Sequence, residues 1–87
     1  MKTRVAVIGI IVEDPDSVAA LNELLHEFAP SIIGRMGIPY RAHHMNVISV
    51  AVDATDDTIS ALAGRIGALP GISAKAAYSN AYTSDKE

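Results

Sequence analysis

Two arginines, two adjacent histidines, a tyrosine and a methionine fall within eleven residues, GRMGIPYRAHH, from Gly34 to His44. Arg35 and Arg41 carry planar guanidiniums that can hold a carboxylate or phosphate by paired hydrogen bonds. Gly34 and Gly37, three residues apart, free the backbone to bend or to be approached closely. Tyr40 could cap a pocket or pack at an interface, and Met36 suits an irregular gap. Gly34, Arg35, Met36, Gly37, Pro39, Tyr40 and Arg41 therefore form a candidate ligand-binding set for a small anion. A plainer reading competes with it. The segment is then a bulged edge strand whose arginines pair with Glu13, Asp14 or another subunit.

His43 and His44 raise a second chemistry. Neighbours on a strand point to opposite faces, so one tight metal site is hard to build from both within a single chain. A site shared across subunits, with His26 or Asp53, is the alternative. No cofactor is expected beyond such a metal ion. Catalysis finds no support. No Ser-His-Asp spacing, glycine-rich phosphate loop or helical His-Glu pair stands out, and Asp14, Asp56 and Asp57 are explained by helix starts.

The rest of the composition bounds what can position these groups. Eighty-seven residues make one domain. The chain is 49% apolar with one Phe and no Trp, so the core must be built from Val, Ile, Leu and Ala. With no cysteine, disulfides, thiolate metal sites and cysteine nucleophiles are excluded. A net charge of −3 argues against direct nucleic-acid binding. The longest apolar run, Val5 to Val12, is far short of a membrane span. It lacks the cleavage signature of a signal peptide, so the cytoplasm is the expected location.

Periodicity supplies the scaffold. Arg4–Val12 is dense in β-branched residues and reads as a strand, and the segment after Asp14 and Pro15 repeats Val18, Leu21, Leu24, Leu25 and Phe28 at helical spacing until Pro30. Ser31–Ile38 reads as a weak strand and Asn46–Ala54 as a strong one. Thr55 opens a second helix with Ile59, Leu62 and Ile66 on one face, stopped by Gly67 and Pro70. Within it, Gly64 is expected to allow close helix packing and Arg65 to be solvated. Gly71–Ser79 makes the last strand. The domain spans 1–80, and 81–87 is expected to form a flexible tail.

This β-α-β-β-α-β order folds most simply as an α+β, ferredoxin-like arrangement: a four-stranded antiparallel sheet with both helices on one face. Right-handed crossovers put strands one and three in the centre. Strand one is apolar on both alternating sets: Val5, Val7 and Ile11 on one, Ala6, Ile8, Ile10 and Val12 on the other. Helices cover only one of them. Ser49, Ala51, Ala74 and Ala76 are small enough to let another surface approach the open side. An apolar sheet face in water marks an interaction site, so a homo-oligomer, dimer or tetramer, is expected.

The chain resembles the family of small regulators associated with the iron-only hydrogenase system. The resemblance runs from Arg4 to Tyr78. It is carried by VIGIIVED (Val7–Asp14), LNELLHEF (Leu21–Phe28), IIGRMGIPYR (Ile32–Arg41), ISV (Ile48–Val50) and ISALAGRIGALPGI (Ile59–Ile72). That family is similar to ACT domains and to the C-terminal sensor domain of nickel-responsive repressors. The resemblance thus implies an ACT-like regulatory domain, with a small-molecule effector or a hydrogenase-system protein as partner. Two departures narrow it. ACT domains carry a glycine in the first strand-to-helix turn where this chain has EDPDSV. The nickel repressors also carry a DNA-binding ribbon-helix-helix segment, which is not expected here, since the first strand is read from Arg4. Two functions follow as expectations: a non-enzymatic module holding a small anion at a subunit interface, or an adaptor working through protein contacts alone. A metal sensor is third.

Overall fold

A computed structural model describes residues 1–85. Of the tail expected over 81–87, residues 86–87 lie outside the described residues. The elements are β1 (Lys2–Val12), α1 (Val18–Glu27), β2 (Ile32–Tyr40), β3 (Met45–Ala54), α2 (Asp56–Gly67) and β4 (Ile72–Asp85). The four strands form one antiparallel sheet in the order β2-β3-β1-β4. The expected α+β, ferredoxin-like fold is what the chain adopts, with β1 and β3 central. Proline and glycine fall on the edge strand β2, where a missing donor does no harm.

The helix starts follow the caps. Asp14 accepts the amide of Asp16 at 2.9 Å, but it caps a short 3-10 turn, Pro15–Ser17, and the α-helix itself begins at Val18. Thr55 accepts the amide of Thr58 at 3.2 Å and starts α2 directly. Both helices lie over the face that carries Ala6, Ile8, Ile10 and Val12 of β1 with Ile48, Val50 and Val52 of β3. Leu21, Leu24 and Leu25 of α1 and Ile59, Leu62 and Ile66 of α2 close the core over them. A side chain such as Ile8 or Ile59, fully buried there, contributes about 1.5–3 kcal/mol by leaving water.

Three expectations need correction. Ser79 does not end β4, because the strand continues through Asp85 along β1, with Arg4 opposite Tyr82 and Lys2 opposite Asp85. A register break between Arg4 and Ala6 lets Ser79 to Ala81 bulge. The Arg4 guanidinium fixes this stretch. It stacks between the Tyr78 and Tyr82 rings at 5.0 and 5.2 Å, donates to the Ser79 carbonyl and meets Asp56 at 3.4 Å. Ala74 and Ala76 pair with Ile10 and Ile8, so they face the helices and not the open side. No atom lies within 4 Å of a Cβ built on Gly64, so that glycine permits no close packing. Arg65 is exposed, as expected, and is also paired. It donates to Glu27 at 2.6 and 3.3 Å and lies over the Phe28 ring at 5.5 Å, tying α2 to α1.

Candidate functional site

Strand alternation divides the GRMGIPYR segment in two. Ile32 pairs with Val52, whereas Gly34 pairs with Ala51, so Ile33 is the extra residue of a bulge. After it, Arg35, Gly37 and Pro39 sit opposite Val50, Ile48 and Asn46 and face the helix layer. Gly34, Met36, Ile38 and Tyr40 sit opposite Ala51, Ser49, Val47 and Met45 and face the open side. The bulged edge strand is therefore real. Neither glycine has a positive φ, and a Cβ on Gly37 would meet Ile48 only at 3.7 Å. The tightest glycine lies elsewhere. Gly71 has φ +67°, and a Cβ there would fall 2.4 Å from the Asp14 Cβ. The Pro70-Gly71 pair is the turn signal that could have pointed to it.

On the helix side, Arg35 reaches over a cleft between α1 and β2. Its guanidinium donates to the Asn22 amide oxygen at 3.3 Å and, among the described residues, has no carboxylate partner. The cleft encloses about 250 Å³. Val18, Leu21 and Ile48 make its apolar wall, while Asn22, Arg35 and Asn46 supply polar groups. That volume is below the roughly 300–1,000 Å³ of pockets for drug-sized ligands, and suits a molecule of few heavy atoms. Arg41 stands on the 3-10 turn after β2 and lines a neighbouring hollow of about 450 Å³ with Pro15, His44 and Met45. Pro39 and Asn46 border both hollows. The expected pairing of Arg35 or Arg41 with Glu13 or Asp14 does not occur. Asp14 is occupied as a cap, and the Glu13 carboxylate meets no arginine among the described residues.

The histidines do not sit on a strand. His43 ends the turn, with its ring 5.0 Å from that of Tyr40, and His44 takes the left-handed conformation at φ 54°. His26 lies on α1, and Asp53 is at the far end of β3, bonded by Thr83 at 2.5 Å. Among the described residues no three metal-ligating side chains converge.

Among the described residues a larger but shallow groove of about 840 Å³ lies between the outer sides of α1 and α2. Its one cation, Arg65, is already neutralised by Glu27, which makes it a poorer place for an anion than the smaller cleft at Arg35. In the β1–α1 turn, Ser17 is buried and donates to the Pro70 carbonyl at 2.6 Å. The side chains of Asp14 and Ser17 in EDPDSV are thus spent on folding.

The family model described as "TM1266-like: Iron-only hydrogenase system regulator, putative" matches residues 4–76. The uncharacterized protein TM1266 from Thermotoga maritima has a similar structure, with a TM-score of 0.84 and 32% identity over 87% of this chain and 96% of that one. A formyltetrahydrofolate deformylase from Pseudomonas putida KT2440 shares the fold, with a TM-score of 0.63 and 16% identity over 88% of this chain. This chain spans only 29% of that enzyme. No curated protein matches.

Proposed function

The chain belongs to the TM1266-like family of iron-only hydrogenase system regulators, and from that membership we propose that it is a non-enzymatic, self-associating module that binds a small anion beside β2. Arg35 carries the proposal. It is a cation with a neutral amide as its side-chain partner, held over a cleft with one apolar wall. A cation kept without a counter-charge gains most from an anion that shields it from water. A short-chain carboxylate suits the site, its head on Arg35 and its aliphatic part against Val18, Leu21 and Ile48. Occupancy would be passed to a hydrogenase-system protein through the edge strand itself.

An adaptor without a ligand is the second reading, favoured by the exposure of Met36, Ile38 and Tyr40 on the other side of the same strand. Titration of the protein with short-chain carboxylates and with inorganic phosphate, followed by amide NMR, tests the choice. Shifts should localise to Asn22, Arg35, Gly37 and Asn46, and Arg35→Ala should weaken binding by about 1.5–3 kcal/mol while leaving the fold intact. Absence of any shift at those amides overturns the ligand site and leaves the adaptor.

A further inference from the structure

The register places three rows of side chains across the open face of the sheet. Gly34, Ala51, Val7 and Ala77 form one, Met36, Ser49, Gly9 and Lys75 the next, and Ile38, Val47, Ile11 and Ser73 the third. Half of these are glycine, alanine or serine, and four of the large apolar ones are exposed: Val7 42%, Met36 64%, Ile38 59% and Val47 39%, with Ile11 half-buried. Among the described residues only two charged side chains belong to this face. Asp53 sits opposite Val5 on β3, and Lys75 sits opposite Gly9 on β4. Val7 lies midway between Val5 and Gly9, and β3 and β4 flank β1 on opposite sides. The two charges are therefore placed symmetrically about Val7. Standard strand spacings put them roughly 17 Å apart.

We propose that this face is closed by a second copy of the chain, related by a two-fold axis beside Val7, with Lys75 of each copy against Asp53 of the other. The inference rests on the self-association proposed above and assigns it a surface. A two-fold contact is self-complementary: if one group meets another, the reciprocal contact is also made. One lysine and one aspartate placed about a centre then give two ion pairs, and the axis lies perpendicular to the line joining them. That axis leaves the sheet beside Met36, so Met36 packs against its own counterpart. The face is large enough. Four strands and a nine-residue ladder span about 19 by 30 Å, or on the order of 600 Å² in projection. Side-chain relief adds to this, toward the roughly 800 Å² per partner of a stable complex. The small residues of the middle rows let the sheets approach closely.

Charge exchange tests it. The unaltered protein at about 100 µM should sediment as a dimer of the 9.1 kDa chain. Lys75→Asp and Asp53→Lys should each raise the dimer dissociation constant at least about tenfold, because like charges then meet twice. Mixing the two variants should restore a dimer, a heterodimer, since each then supplies what the other lacks. Because the chain has no cysteine, Met36→Cys introduces a single thiol that a short bis-maleimide should link to its counterpart. A monomeric wild type overturns the self-association itself. A dimer indifferent to both charge changes, a mixture that fails to pair, or a thiol that does not crosslink overturns this surface alone. Carboxylate titration at Arg35 reports on the ligand site independently, since Arg35 faces the helices.

Discussion

The two faces of the sheet are made by the same strands and read very differently. On the helix side, Ala6, Ile8, Ile10 and Val12 are at most 1% exposed. One residue along, Val7 and Gly9 stand in the open and Val5 and Ile11 are half-buried. Apolar character alone does not tell these sets apart. The difference is what lies above them: two amphipathic helices on one side, and none of the described residues on the other. A strand that is apolar on both faces is what the self-association proposed above would explain.

The sharpest way to break this contrast is to remove equivalent side chains from each face. Ile8→Ala should cost about 2–5 kcal/mol in denaturant unfolding, the loss expected where a cavity is left in a packed core. Val7→Ala, measured at a dilution where copies are apart, should cost no more than about 1 kcal/mol. Equal losses would mean that the open face is already covered within one chain. A smaller effect comes from the turn that brings β4 under the helices. Gly71→Ala should destabilise by at least about 1–2 kcal/mol, because the left-handed φ disfavours any Cβ and this one runs into Asp14. An unchanged midpoint would show that the turn relaxes.

The smallest effect belongs to the Glu27–Arg65 pair, which ties the helices together outside the core. The hydrogen bond from Arg65 holds the Glu27 carboxyl below its ordinary value, and Glu27 in turn holds Arg65 above its own. For Glu27 the folded value lies below the unfolded one. Its contribution is therefore fully present above the unfolded value and is lost as pH falls through the folded one. The difference in melting temperature between wild type and Glu27→Gln should thus be positive near neutrality, vanish in acid and shrink with salt. A difference that persists in acid would assign the effect to packing against Phe28 instead.

Much of this was legible before any coordinates. The period of Val18, Leu21, Leu24, Leu25 and Phe28, the caps at Asp14 and Thr55, and the β-branched runs of β1 and β3 are local signals, because each depends on residues a few positions apart. Element order and crossover handedness then left one simple topology. What the sequence could not supply is which residues share a face across strands. Ala74 and Ala51 look alike in the chain, yet register sends one under α2 and the other to the open side. The GRMGIPYR segment reads as one cluster, yet a single extra residue at Ile33 and the two-residue period part Arg35 from Met36 and Tyr40. Tyr82 falls in polar sequence that resembles a fraying end, and becomes half of a clamp on Arg4 only because β4 keeps pairing past its bulge. Side-chain spacing along one element is written in that element, whereas its partners across the sheet are chosen by ladder register, which joins residues as much as 83 positions apart, as Lys2 and Asp85 are.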